Sequence, residues 1–146
     1  MRILIDGDAC PQKEDILSIA NKYHKDVLIF VDFAHEINDQ LYTEVISCDV
    51  GHDSADMQIL NKVQKNDLVI TQDYGLAALV LSKGAFVLHI SGMIIDNNNI
   101  DELLFRRYGG AKLRKVKKHL KGPSARNSQQ KKFFIEQLEK ILIERE

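Results

Sequence analysis

Asp6 and Asp8 stand one residue apart, with Gly7 between them, at the end of the apolar run Ile3, Leu4 and Ile5. Two carboxylates held this close repel each other unless a cation neutralises them. Mg²⁺ and Mn²⁺ favour hard oxygen ligands of this kind, so the chemistry that the pair suggests is a divalent-metal site. The structural alternative is that Asp8 caps the following helix and Asp6 faces solvent. Gly7 allows a sharp turn or a close approach to a ligand. A third acid, Asp73, follows the run DLVIT at 67–71, and two more, Asp53 and Asp56, lie in GHDSADMQ at 51–58. Each has an ordinary structural use: Asp53 with Asp56 three residues later is a variant capping box, and Asp73 stands where a cap for a helix starting at Tyr74 belongs.

Whether these acids meet depends on the elements that carry them. Apolar runs suited to buried parallel strands occur at 3–5, 27–31, 44–48, 67–71 and 85–90, each long enough for a strand covered by helices on both sides. Between them, helical spacing is read over 11–23, 54–63 and 74–82, with a further helix starting at Ile100 and broken by Gly109-Gly110. Residues 33–41 suit either a short helix or a loop, and 91–99 reads as a polar loop. Strands alternating with helices argue a parallel sheet with helices on both faces. Short right-handed crossovers limit its topology. The expectation is an α/β fold, a three-layer α/β/α sandwich with a mainly parallel sheet of strand order 3-2-1-4-5. That order sets strands 1 and 4 side by side at the topological switch point, where a crevice opens outside the strand ends. Asp6, Asp8 and Asp73 would then share one tip, and the start of the helix at Asp53 and Asp56 would face the same crevice. Of that last pair, Asp56 is favoured.

A chain of 146 residues that is 45% hydrophobic and 28% charged suits one soluble domain with its own core. No apolar stretch is long enough to span a membrane and no signal peptide is visible. Cys10 and Cys48 lack metal-ligand spacing and suit a reducing compartment, so a cytoplasmic protein is expected. Cys10 suits a small buried packing residue better than a reactive thiol. His52 is read as a turn residue rather than a metal ligand, and His24, His35, His89 and His119 as structural or surface residues. No G-x-G-x-x-G or P-loop motif is present, which argues against nucleotide binding through a glycine-rich loop.

The net charge of −1 conceals an asymmetry. Residues 1–105 carry 7 Lys or Arg against 17 Asp or Glu, whereas residues 106–146 carry 13 against 4. Arg106, Arg107, Lys112, Arg114, Lys115, Lys117, Lys118 and Lys121 fall in one stretch without an acid. Such a run suits the phosphates of RNA or another nucleic acid, with Tyr108 available to stack on a base. The alternative is a solvated linker. Beyond it, 129–143 is amphipathic, with Phe133, Phe134, Leu138, Ile141 and Leu142 on one broad face. This face should pack on the sheet or on a second subunit of a homo-oligomer. The organisation expected is therefore 1–108 as the α/β domain, 109–127 as a basic linker and 128–146 as a C-terminal helix packed on that domain.

The motifs IDGDACP (5–11), ADMQI (55–59), DLVITQDYGLA (67–77) and KGP (121–123) together resemble the YaiI/YqxD family of uncharacterised bacterial proteins. The resemblance covers nearly the whole chain, in order. That family is similar to the PIN-like nuclease superfamily, whose parallel α/β/α sandwich carries an acidic cluster that binds Mg²⁺ or Mn²⁺ and cleaves RNA. The resemblance implies a PIN-like fold with Asp6, Asp8, Asp56 and Asp73 as the catalytic acids, of which Asp6, Asp8 and Asp73 are metal ligands. Met57 stands where many relatives are expected to have a further acid, and a thinner cluster would hold metal more weakly.

Three function classes follow. The first is a metal-dependent ribonuclease, in which metal lowers the pKa of a bound water and neutralises charge on the phosphate oxygens. A carboxylate off the metal would serve as general base, and Thr71 and the backbone around Gly7 would contact phosphate. The second is a non-catalytic module of the same fold that binds nucleic acid or protein. The third is a haloacid-dehalogenase-type phosphatase, suggested by D-x-D after a strand. Cys10-Pro11 stands where that class usually has Thr or Val, and the chain is short for that fold with a cap.

Overall fold

A computed structural model describes residues 1–7, 10–32, 41–48, 54–106 and 126–145. Five strands run parallel: β1 (Ile3–Asp6), β2 (Val27–Val31), β3 (Glu44–Ser47), β4 (Leu68–Thr71) and β5 (Phe86–His89). The sixth, β6 (Ile94–Ile95), pairs antiparallel with β5. The order across the sheet is β3-β2-β1-β4-β5-β6. The expected sequence of five strands is present, and strands 1 and 4 are neighbours. The helices are α1 (Lys13–Lys22), α2 (Ala55–Lys62), α3 (Tyr74–Ser82), α4 (residues 100–106 of its described part) and α5 (Ser128–Glu144).

Side chains alternate strictly across the central strands. Ile3 and Ile5 of β1, Val27, Ile29 and Val31 of β2, and Leu68 and Ile70 of β4 join Ile16 and Ile19 of α1 and Phe134, Leu138, Ile141 and Leu142 of α5 in one buried cluster. Leu4, Leu28, Phe30, Val69 and Val87 point the other way, to Ile59 of α2, Leu76, Ala77 and Val80 of α3 and Leu103 of α4. The result is three layers: α1 and α5, the sheet, then α2, α3 and α4. Both faces of the central strands are covered, so those strands read as unbroken apolar runs rather than alternating ones.

The stretch 91–99 is not simply a polar loop. His89 N–H donates to Met93 O (2.9 Å) and Gly92 N–H to His89 O (2.9 Å), closing a tight hairpin that returns Ile94 and Ile95 to the sheet. Gly92 has φ +97°, and a Cβ there would lie 2.6 Å from Phe133 Cδ1. Only glycine meets both conditions, and the turn thereby lets α5 pass close over it. A two-residue edge strand is too short to leave a periodic signature.

Arg126 ties α5 to the C-terminal edge of the sheet. Its Nη1 donates to Ile90 O (2.6 Å), its guanidinium also donates to Gln12 Oε1, and it lies over the Phe134 ring. Asn127 and Gln130 then form a reciprocal capping box at the start of α5, satisfying two backbone donors that would otherwise be open.

Candidate functional site

The polar residues at the C-terminal edge form a row on the face covered by α2 and α3. Asp6 ends β1, two residues after Leu4, so it faces the same side as Leu4. Thr71 ends β4, two residues after Val69. His89 ends β5, two residues after Val87 and directly opposite Thr71 in the parallel register. Period-two alternation therefore places Asp6, Thr71 and His89 side by side on three adjacent strands.

Thr71 is fully buried and connects the acids. Its hydroxyl donates to Asp6 Oδ2 (3.0 Å) and accepts from the Asp73 backbone N–H (3.0 Å). Asp73 is the N-cap of α3, where its Oδ1 accepts from Leu76 N–H (3.1 Å). Asp73 thus has the capping use that its position suggests. It is held in the same network as Asp6, one hydroxyl away. A carboxylate has about four lone-pair sites, so accepting such hydrogen bonds does not bar it from meeting a cation.

The other sequence candidates are placed differently. Asp56 is exposed in the first turn of α2, on the same layer as α3. Asp8, Asp53 and His52 lie outside the described residues, as do Arg107, Lys112, Arg114, Lys115, Lys117, Lys118 and Lys121. Arg106 is exposed in α4 and pairs with Glu102 (2.5 Å) one turn earlier. Among the described residues, no three His, Cys, Asp or Glu side chains are grouped so as to hold a metal ion.

Gly7 is buried, and its close approach is to neighbouring side chains. A Cβ there would lie 2.7 Å from both Ile29 Cγ1 and Val31 Cγ1 of β2. The residue is small because β1 must leave the sheet tightly against β2, which in turn fixes where Asp6 points. Cys10 is buried and its thiol donates to Pro11 O. Burial pushes its pKa up to about 12, with the Asp6 charge adding to the rise and Lys13 and Arg126 opposing it. It stays a protonated packing residue at neutral pH, as its position in the sequence suggests.

His89 is the residue at this edge that sequence spacing did not bring forward. Its ring packs against Tyr74, the first residue of α3, with centroids 5.3 Å apart and planes tilted by 38°. Its Nδ1 accepts from Ser91 N–H (3.1 Å) and lies 2.8 Å from Ser91 Oγ. Burial, reinforced by the Arg126 charge, lowers its pKa from the ordinary 6.5. The sequence run 85–90 continues through Ile90 and hides that β5 ends at His89.

The fold and this edge define an open, mainly parallel α/β sandwich with polar residues gathered at the switch point between β1 and β4. The family model described as "Uncharacterized BCR, YaiI/YqxD family" matches residues 4–144, and the chain belongs to that family. It is similar to the UPF0178 protein of Alkaliphilus oremlandii (42% identical over 98% of this chain and 94% of the relative). It is also similar to the UPF0178 proteins of Ruminiclostridium cellulolyticum (49% over 80% and 75%) and Clostridium tetani (43% over 94% and 94%). No solved structure matches the chain. Among the described residues, no helix is long and apolar enough to cross a membrane.

Proposed function

We propose that the protein is a metal-dependent nuclease of PIN-like type that hydrolyses RNA phosphodiester bonds at the C-terminal edge of β1 and β4. The observation that carries this reading is that one buried hydroxyl, Thr71, donates to the Asp6 carboxylate and accepts from the backbone N–H of Asp73, 67 positions away in the sequence. Strand order brings them together at the place where open α/β sheets bind ligands. The available donors are hard oxygens. Mg²⁺ is commonly held by one or two carboxylates together with water and substrate phosphate, so the donor set fits Mg²⁺ or Mn²⁺. Asp6 and Asp73 would hold the ion, and Asp8, which lies outside the described residues, is the third ligand that the sequence suggests.

The bound ion would supply an activated water and neutralise charge on the phosphate. The chain's own part is to orient and to take up a proton. Thr71 fixes the Asp6 carboxylate through its hydroxyl, and the Leu76 N–H fixes that of Asp73. A carboxylate not engaged by metal, for which Asp56 at the start of α2 is the candidate, would accept the proton of the attacking water. The basic stretch from Arg106 to Lys121 would hold the RNA backbone, consistent with a cytoplasmic RNA-binding hydrolase.

The test is release of nucleotides from single-stranded RNA with Mn²⁺. Activity is expected in the wild type, with loss in EDTA and a fall of more than about a hundredfold in Asp6→Asn and in Asp73→Asn, as expected when a metal-ligand set is damaged. Cleavage that survives both substitutions would contradict the reading. Retained RNA binding without any cleavage would instead favour the non-catalytic module. Capture of a phosphate analogue on Asp6 would favour the phosphatase.

Charge reversal at Arg114, Lys115, Lys117 and Lys118 should weaken RNA binding. It should also flatten the slope of log affinity against log salt by about 0.7 per lost phosphate contact on a single strand. Gel-shift titrations at several salt concentrations measure this, and an unchanged slope would make the run a solvated surface.

A further inference from the structure

We propose that His89 is a substrate-binding residue of the same site, a neutral donor that holds a phosphate oxygen of the RNA through its Nε2–H. This rests on the nuclease reading for the identity of the ligand, and on the placement of His89 for the rest. The Ser91 backbone N–H can only donate, so the Nδ1 that receives it carries no proton. The proton of the neutral ring is therefore on Nε2. That nitrogen has no hydrogen-bond partner among the described residues, whereas no buried side-chain nitrogen or oxygen there lacks one. Nε2–H is thus a donor left open to solvent.

Its position matches that use. His89 is in register with Thr71 of the neighbouring strand β4, two residues before Asp73, and on the same face of the sheet as Asp6. Tyr74 holds the ring on one side and Ser91 fixes its rotation, so the donor is ordered before any ligand arrives. Preorganisation of this kind favours binding by reducing the ordering that association requires. A neutral donor also suits this edge, because it binds a phosphate oxygen without competing with a cation for the two carboxylates.

The experiment measures RNA binding rather than cleavage, with Ca²⁺ in place of Mn²⁺ so that a single-stranded oligonucleotide is held without turnover. His89→Ala should bind about tenfold more weakly, the size expected for losing one hydrogen bond to a charged group. Its salt slope should equal that of the wild type, because no charge is removed. His89→Gln, which keeps an amide donor near the place of Nε2, should recover most of the affinity. In the wild type, the ¹⁵N resonance of His89 Nε2 should move when the oligonucleotide is added. Equal binding by wild type and His89→Ala, or an unmoved Nε2 resonance in a wild type that binds, would overturn the role of His89 and leave the Asp6–Asp73 site standing. A wild type that does not bind RNA at all would overturn both.

Discussion

Asp67→Ala is expected to destabilise the protein by about 3 kcal/mol. Asp67 lies just before β4, and its side chain is only 5% exposed. It accepts from the Arg2 backbone N–H (3.1 Å), from Arg2 Nε and Nη2 (the latter at 2.7 Å) and from the Gln64 N–H (2.8 Å). Arg2 Nη2 also donates to Lys62 O at the end of α2 (2.9 Å). One carboxylate therefore joins the starts of β1 and β4 to the end of α2, and its hydrogen bond raises the pKa of Arg2. Removing it leaves two backbone donors without their acceptor and a guanidinium without its anion. Losing one partner of a buried pair costs about 3–5 kcal/mol. The 28% exposure of the Arg2 side chain argues for the lower end, since water can partly replace the lost partner. Urea denaturation measures the change, and a loss under about 1 kcal/mol would contradict it.

This clamp is at the opposite end of the strands from Asp6 and Thr71. The edge that holds the sheet together and the edge proposed for chemistry are thus separate. Substitutions at Asp67 should lower stability without altering RNA cleavage below the melting transition.

Much of this architecture is legible in the sequence because the sheet is buried on both faces. Runs such as VLIFV at 27–31 and LVI at 68–70 have no polar residue to interrupt them, so their ends are marked by the polar and acidic residues that follow. Those marks give the strand order its chemical meaning and bring Asp6 and Asp73 together. Three features escape that logic. Ile94–Ile95 is a strand because β5 pairs with it across a hairpin, and two residues carry no period of their own. Gly7 is small because Ile29 and Val31 crowd it, a fact about β2 that β1 does not record. His89 gains its interest from its partner across the register, Thr71, and a lone histidine inside the run 85–90 has no spacing to set it apart. Asp67 belongs with these. It reads as the first residue of a strand, whereas its hydrogen bonds reach back to Arg2, at the start of the chain.

The second large effect expected concerns metal. A ligand that binds only the folded state stabilises it by about 2.7 kcal/mol at a hundred times its Kd, which for a domain of this size is roughly a 10 °C rise in Tm. Neighbouring carboxylates repel when no cation is present, so neutralising one should leave the metal-free protein as stable as before or more so. Asparagine suits this test because it retains an acceptor oxygen. In Asp6→Asn that oxygen can still receive the Thr71 hydroxyl, and in Asp73→Asn it can still cap Leu76 N–H.

The direct measurement is the thermal melting of wild type, Asp6→Asn and Asp73→Asn, each with and without Mn²⁺. The expected result is a clear rise in Tm for the wild type on adding Mn²⁺, no such rise in either variant, and metal-free melting temperatures at or above that of the wild type. Equal Mn²⁺-induced shifts in all three proteins, or none in the wild type, would contradict the assignment of Asp6 and Asp73 as metal ligands.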